Sequence, residues 1–184
     1  WKEALETLPL STKILINAND PALVFLGEHS LSEVTYFGVN DSRFKLKGVP
    51  HYADSLYCLN CAIVLRYKIC YFSHVGVWSC PVCGRTTPPL SFEASHIRIS
   101  KEEMTFRINK HEVTTKLMGI YNVYNLTAFF GLLRLLGIEE ALSIPLFKNF
   151  EPHFGRQETF LIGNHPVKIF LSKNPTGFNV NLRL

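Results

Sequence analysis

The stretch "TKILINANDPALVFL", Thr12–Leu26, reads as strand, turn and helix. Lys13 to Asn17 is a short apolar run of the kind that forms a buried strand. Asp20 followed by Pro21 is a helix N-cap with proline at the first helical position, where the missing N–H costs nothing. The helix behind them is short and should end near Gly27. "VTYFGV", Val34–Val39, supplies the next strand. Strand, helix and strand at this spacing form a compact βαβ unit, which implies a parallel sheet and an α/β chain.

After this unit the composition changes. All five cysteines fall between Cys58 and Cys83, in the spacing C-x₂-C-x₁₈-C-x₂-C with Cys70 as the odd thiol. Two residues between cysteines let both thiolates of a knuckle reach one ion, and two knuckles supply the four soft ligands of a closed tetrahedral Zn²⁺ site. Gly84, after "CPVC", relaxes the backbone as the second knuckle turns. The β-prone run "AIVLRYKICYF" between the knuckles suits a small hairpin, with Cys70 buried in it as a small apolar residue. His51 and His74 lie nearby, but four thiolates already complete a tetrahedron. The zinc is therefore expected to be structural, held by Cys58, Cys61, Cys80 and Cys83. Because metal binding energy is folding energy in a small ribbon, loss of Cys80 should unfold the insert while sparing much of the α/β core. The competing reading is a pair of disulfides in a secreted chain. No signal peptide or apolar spanning segment is visible in the sequence, so a reducing, cytoplasmic setting is expected.

Past the cysteines, "HIRIS" and "MTFRINKHEVTTKL" alternate like antiparallel strands, with a turn near Asn109 and Lys110. "GIYNVYNLTAFFGLLRLLGI" then reads as a helix. Leu126, Phe129, Phe130, Leu133 and Leu136 mark its apolar face, and Thr127, Gly131 and Arg134 a thinner, more polar one. Gly137 is its expected C′ stop. Glu151–Glu158 reads as a loop, with a domain boundary near Gly155. Thr159–Ser172 reads as a strand pair turning at Gly163 and Asn164, and "KNPTGFNVNLRL" begins a turn and a further helix.

The remaining composition is that of an ordinary folded chain: 184 residues, 47% hydrophobic, 18% charged and a net charge of +4, with no run of like charge. Charge alone therefore implies neither a nucleic-acid nor an anionic-membrane surface. A zinc-ribbon binding module for nucleic acid or protein remains the reading from a different functional class. Against it, the ribbon carries few basic residues, Arg66, Lys68 and Arg85.

Two further sets of residues invite a chemical reading. Asn122 and Asn125 are three apart at the start of the long helix and share a face of its first turn. An amide offers a donor and an acceptor side by side, which matches the N6 and N7 edge of adenine; the alternative is that one of them caps the helix. Arg156 at the boundary either clamps a phosphate or ribose or is a solvated loop arginine.

Taken in order, "INANDP" (16–21), "GIYNVYN" (119–125), "GRQE" (155–158) and "SKNPTGFN" (172–179) resemble the Mur ligase family, whose members activate a carboxylate with ATP and join it to an amine. The cysteine ribbon between the Mur-type strands narrows the resemblance to its amidating synthetase subunits and argues against the nearer alternative, another Mur-like ATP-dependent amide ligase. The resemblance implies a Mur ligase central domain over 1–150, mainly a parallel sheet flanked by helices plus small antiparallel strands. A Cys₄ zinc ribbon is inserted at 51–90, and 151–184 form a hinge and the beginning of a C-terminal α/β domain. It further implies ATP and Mg²⁺ as substrates and a GatD-like glutamine amidotransferase subunit as partner. The substrate would be lipid II at the inner face of the membrane, whose D-glutamate α-carboxyl is amidated with glutamine-derived ammonia. On the same ground Asn122 and Asn125 become adenine contacts, Arg156 a nucleotide contact, and Lys173 a group brought toward the phosphates. One departure is visible: the family block is usually Asn-Ala-Asp-Asp, and here Asn19 replaces the first acid. The phosphate-loop pattern G-x-x-x-x-G-K-[ST] does not occur in these residues. The family carries that loop earlier in the chain, so the sequence is read as an internal piece, inactive alone.

Overall fold

The computed structural model describes residues 1–50, 53–150 and 156–182, with the side chains of 140, 141, 149 and 156–159 outside the description. The chain runs α1 (Lys2–Glu6), β1 (Lys13–Asn17), α2 (Pro21–Glu28) and β2 (Glu33–Val39), then into the cysteine insert with β3 (Arg66–Phe72) and β4 (Val75–Ser79). It continues through β5 (Phe92–Ile99), β6 (Met104–Ile108), β7 (His111–Thr115), α3 (Ile120–Leu135) and α4 (Glu140–Asn149). The end is β8 (Arg156–Ile162), β9 (His165–Phe170) and α5 (Pro175–Asn181).

One five-stranded sheet has the order β1-β2-β5-β6-β7. β1, β2 and β5 are parallel, and β5-β6-β7 are antiparallel. The chain is thus α/β with a mixed sheet, as the βαβ reading requires. β5 joins the two halves and is longer than "HIRIS" alone suggests. It begins at Phe92 and bends at a bulge between Ser95 and Arg98, where His96 takes φ +55°. Its first residues pair in parallel with β2, and those N–H and C=O groups would otherwise be buried without partners.

Parallel strands need a crossover connection, usually a helix. Between β2 and β5 the crossover is the cysteine insert. Asp41, at its entry, accepts from Ile97 N at 2.8 Å and from Arg43 Nε at 2.8 Å, while Asp41 N donates to Tyr71 Oη at 2.8 Å. The Arg43 guanidinium holds the Asp41 carboxyl below its ordinary range. Ile69, Tyr71 and Val75 of the insert then pack in one cluster with Phe37, Val39, Phe106 and Val123 of sheet and helix. The ribbon hairpin therefore shares the main core. The expectation that the insert unfolds alone does not fit this packing, because unfolding the hairpin exposes the sheet it covers.

α2 forms as the sequence dictates. Asp20 Oδ1 accepts from Ala22 N at 2.9 Å and Leu23 N at 3.3 Å, and Pro21 opens the helix. α3 differs from expectation in which face is buried. Thr127 is fully buried and Gly131 is buried, whereas Phe129 and Leu136 of the expected apolar face are 41% and 66% exposed. Small residues let the helix axis approach the sheet: a Cβ at Gly131 would stand 2.9 Å from the Phe92 ring and 3.1 Å from Leu15. Thr127 satisfies its hydroxyl within the helix, donating to Val123 O at 2.7 Å. Phe129 packs edge-on against Phe147 of α4 at 5.7 Å. α4 itself had no sequence signal strong enough to set against Pro145 in its middle. Gly137, at φ +78°, ends α3 as expected.

The terminal hairpin turns at Gly163, φ +61°, as expected, but β8 begins at Arg156, inside the segment read as a loop. Asn174 caps α5 by accepting from Gly177 N at 2.8 Å, with Pro175 at the first position. Among the described residues no helix is long and apolar enough to cross a membrane.

Candidate functional site

The two knuckles are the same turn made twice. In the first, Cys58 N donates to Ile63 O at 2.8 Å and Ala62 N to Cys58 O at 2.8 Å. In the second, Cys80 N donates to Arg85 O at 2.7 Å and Gly84 N to Cys80 O at 3.2 Å. In both, the fifth residue is left-handed: Ala62 at φ +57° and Gly84 at φ +73°. The β3-β4 hairpin brings the knuckles together. Cys58 Sγ lies 3.6 Å from Cys83 Sγ and Cys61 Sγ 3.5 Å from Cys80 Sγ, and all four sulfurs lie within 4.8 Å of one another. A disulfide needs about 2.05 Å, whereas sulfurs at about 2.3 Å from a tetrahedral ion stand about 3.8 Å apart. The spacing fits a metal and not a cystine, so these four cysteines could hold an ion. Cys70 stays outside the cluster, buried, near Ser73 O at 3.2 Å. His74 also stays outside and pairs with Asp20 Oδ2 at 3.1 Å; His51 lies outside the described residues.

The electrostatics fit the same reading. The backbone N–H of Cys83, against partial burial, holds the Cys80 thiol down to about 6. At Cys61 the N–H of Ile63 pulls downward, but burial and the three neighbouring sulfurs outweigh it and push the thiol up to about 12. Thiols this close ionise together only around a cation. Cys58 and Cys80 are buried in a second cluster with Trp78, Leu65, Val24 and Ala18. Trp78 is 1% exposed and donates from Nε1 to Ala18 O at 3.1 Å, tying the ribbon to the turn after β1.

Asn19 is the residue whose weight the sequence concealed. Fully buried, it donates from Nδ2 to Gly76 O at 3.1 Å, and its Oδ1 accepts from Val39 N at 2.7 Å and Tyr124 Oη at 2.9 Å. It joins the β1-α2 turn, the end of β2, the ribbon and α3 in one place. A carboxylate here would lack the donor for Gly76 O. Next to it a cleft of about 380 Å³ opens at the carboxyl ends of β1 and β2, lined by Asn19, Asn40 and Glu93 and by Thr86 to Leu90. Open α/β sheets bind ligands at this end of the strands. Asn40 and Glu93, which share a hydrogen bond of 3.1 Å, carried no pattern to single them out.

The other expected residues are placed as follows. Asn122 is buried and Asn125 exposed, and they touch: Asn125 Nδ2 donates to Asn122 Oδ1 at 3.3 Å. Neither caps α3, whose N-cap is Gly119; Asn122 Nδ2 instead donates to Met118 O at 2.9 Å. Lys173 is exposed, just before the cap of α5. Its neighbour Ser172 accepts from Asn181 Nδ2 at 2.9 Å, and Asn181 accepts from Tyr121 Oη at 3.5 Å. These bonds tie the segment around Ser172 to Tyr121 of α3 through α5. Arg156 opens β8, its side chain being outside the description, and the expected boundary near Gly155 also lies outside the described residues.

The chain matches no family model. It is 27% identical over 176 residues to the MurT subunit of lipid II isoglutaminyl synthase (glutamine-hydrolyzing) of Streptococcus pneumoniae, covering 95% of this chain and 39% of that protein. It is 28% identical over 170 residues to the MurT subunit of Staphylococcus aureus, covering 92% and 38%. This chain thus spans about two fifths of the length of these relatives. A pseudomurein peptide ligase type C from Methanothermus fervidus superimposes with TM-score 0.73 at 26% identity, over 98% of this chain and 35% of that one. MurF from Acinetobacter baumannii, at TM-score 0.63 and 13% identity over 99% of this chain and 31% of its own, shares the fold alone. By sequence over nearly its whole length this chain is similar to MurT subunits, and by structure it has the Mur ligase-like fold.

Proposed function

We propose that this chain is part of the ATP-dependent synthetase subunit that amidates the D-glutamate α-carboxyl of lipid II in the cytoplasm, with a GatD-like partner supplying ammonia from glutamine. The observation that carries the reading is similarity to MurT subunits over 95% of the chain. In this reading 1–150 belong to the central domain and 151–184 open the next one. The α-carboxylate oxygen takes the γ-phosphoryl group of ATP and ADP leaves; ammonia attacks the acyl carbon, phosphate leaves and the nitrogen loses a proton. The exposed Asn125 meets the adenine, with the buried Asn122 orienting its amide from behind, while Lys173 and Arg156 approach the phosphates. Cys58, Cys61, Cys80 and Cys83 would hold a Zn²⁺ whose role would be to fix the crossover, since four thiolate ligands would leave no open position for chemistry.

The test is ATP binding and lipid II amidation by a longer protein carrying the phosphate loop, with its glutaminase and Mg²⁺. Such a protein should convert the D-glutamate of lipid II to D-isoglutamine with nitrogen taken from glutamine. Asn125→Ala should weaken its ATP affinity by about tenfold, on the order of the loss of one bidentate base contact, with its zinc content unchanged. The 184-residue chain should bind ATP weakly, since a few amide contacts barely offset the association cost. Unchanged ATP affinity in Asn125→Ala would remove the adenine assignment.

A second reading has its own support. The pseudomurein peptide ligase shares 26% identity and TM-score 0.73. A protein of that kind would deliver an amino acid in place of ammonia to the acyl phosphate. Amide formation that needs an amino acid, and does not respond to glutamine or ammonia, would favour it.

A further inference from the structure

We propose that Arg85 is a positioning residue of the Cys58–Cys61–Cys80–Cys83 centre, and that through it a bound metal locks the last turn of α2 onto the ribbon. The proposal rests on the reading of the four cysteines as a metal site. Arg85 stands two residues past Cys83, and its own carbonyl closes the second knuckle by accepting from Cys80 N. The turn that sets Cys80 therefore also fixes where the Arg85 side chain starts.

That side chain is only 14% exposed. Its Nη1 approaches Cys58 Sγ at 4.0 Å, on the opposite knuckle. Its Nη2 meets the Glu28 carboxylate, and its Cζ lies 5.1 Å from the centre of the Phe25 ring. Glu28 and Phe25 both belong to the C-terminal half of α2. One guanidinium thus bridges both knuckles and the helix of the βαβ unit. At the other end of α2, Asp20 caps the helix with one oxygen and meets His74 of the ribbon with the other. The helix is held to the insert at both termini.

Four thiolates around a divalent ion carry a net charge of about −2. A buried cation with an N–H aimed at one sulfur offsets part of that charge and orients the ligand, which is how the partners of metal ligands tune a site. Among the described residues neither Arg85 Nε nor Nη2 has an acceptor in hydrogen-bond geometry, so the ion contact to the partly exposed Glu28 leaves this largely covered cation incompletely served, and a charged centre beside it would supply the remainder. A plain Arg85–Glu28 ion pair makes the opposite forecast: its loss would lower stability equally with and without metal and leave metal affinity alone.

The experiment uses the 184-residue chain with Zn²⁺ and Co²⁺ as probes. Zn²⁺ affinity is read by competition with a chromophoric chelator, the sulfur-to-Co²⁺ charge-transfer band by absorption, and α2 by hydrogen exchange with and without Zn²⁺. Arg85→Met should bind Zn²⁺ about 10- to 100-fold more weakly, with a shifted charge-transfer band. Arg85→Lys should recover part of the affinity. Zn²⁺ should protect the amides of Val24 to Gly27 in the unaltered chain and not in Arg85→Met. Should Arg85→Met fail to fold, Glu28→Gln tests the link to the helix: it should lose the metal-dependent protection of α2 while shifting the Co²⁺ band little. Wild-type affinity and spectrum in Arg85→Met would overturn the proposal, as would protection of α2 that ignores Zn²⁺ in the unaltered chain or survives in Glu28→Gln. If the unaltered chain binds neither ion, the metal reading itself falls and takes the proposal with it.

Discussion

The hairpins β3-β4 and β8-β9 are both antiparallel, both rich in apolar residues, and buried to opposite degrees. In the ribbon hairpin Ile69, Tyr71, Val75 and Trp78 are each at most 6% exposed. In the terminal hairpin Leu161 is 76% exposed, Ile162 66% and Ile169 46%. Strand propensity and a good turn suffice to pair two strands, but they do not say what the pair lies against. The ribbon hairpin is pinned by groups outside itself. Asn19 bonds Gly76, Ala18 O receives Trp78, Tyr71 Oη donates to Val39 O at 3.1 Å, and the knuckles bind its base. The terminal hairpin is held to the described chain through Tyr121–Asn181–Ser172 and through Val180 in the main core.

The contrast can be broken most forcefully at the four cysteines, which could hold a metal. The binding energy of a thiolate zinc site is on the order of 10 kcal/mol, and the ribbon shares its core with the sheet. Chelation should therefore unfold the hairpin and the sheet together, seen as coincident transitions by tryptophan fluorescence and far-UV circular dichroism. Two separate transitions would restore the ribbon as an autonomous insert. Next in size, Trp78→Ala should cost about 3–5 kcal/mol, measured by denaturant titration of the zinc-loaded chain, because it empties the space between the knuckles and Ala18.

Asp41 gives a smaller effect with a pH signature. Its folded pKa lies below its unfolded one because Arg43 and the Ile97 N–H stabilise the charged form. Its contribution is therefore complete above the ordinary carboxylate range and is lost as pH falls through the depressed value. Asp41→Asn should cost about 1–3 kcal/mol near neutrality and flatten the loss of stability as pH falls through and below the ordinary carboxylate range. An unchanged acid slope would remove Asp41 as the anchor of the ribbon's entry. At the bottom of the scale, Leu161→Ser in the terminal hairpin should move the unfolding midpoint by less than about 0.5 kcal/mol. A loss comparable to that of Trp78→Ala would show that the two hairpins are buried alike.

Much of the fold was legible because its signals are local. Asp20-Pro21, Gly137 and Asn174-Pro175 set helix ends through bonds to residues a few positions away, and the two C-x₂-C knuckles set the cluster through turns of five residues. A sequence displays such bonds directly, since both partners stand in the same short stretch. Asn122 and Asn125 were singled out by spacing, and the spacing does bring them into contact, yet neither side chain caps α3: Asn125 bonds Asn122, and Asn122 bonds Met118 O just ahead of the helix.

Only the tertiary structure decided which surfaces those elements cover. Thr127 and Gly131 read as a polar face and are buried, because close approach of α3 to Leu15 and Phe92 favours small side chains over large ones. Asn19 read as a lost acid and serves as an amide whose partners, Val39, Gly76 and Tyr124, are distant in sequence. Arg85 read as one basic residue of a ribbon and spans Cys58 and Glu28. The sequence by itself determined the βαβ unit, most of the later strands and α3, several helix ends and the four thiols, all of which depend on neighbours along the chain, but not α4 or the start of β8. The shared core, the Asn19 junction and the Arg85 bridge depend on groups that meet only after the crossover from β2 to β5 has closed over the sheet, and no local pattern encodes that meeting.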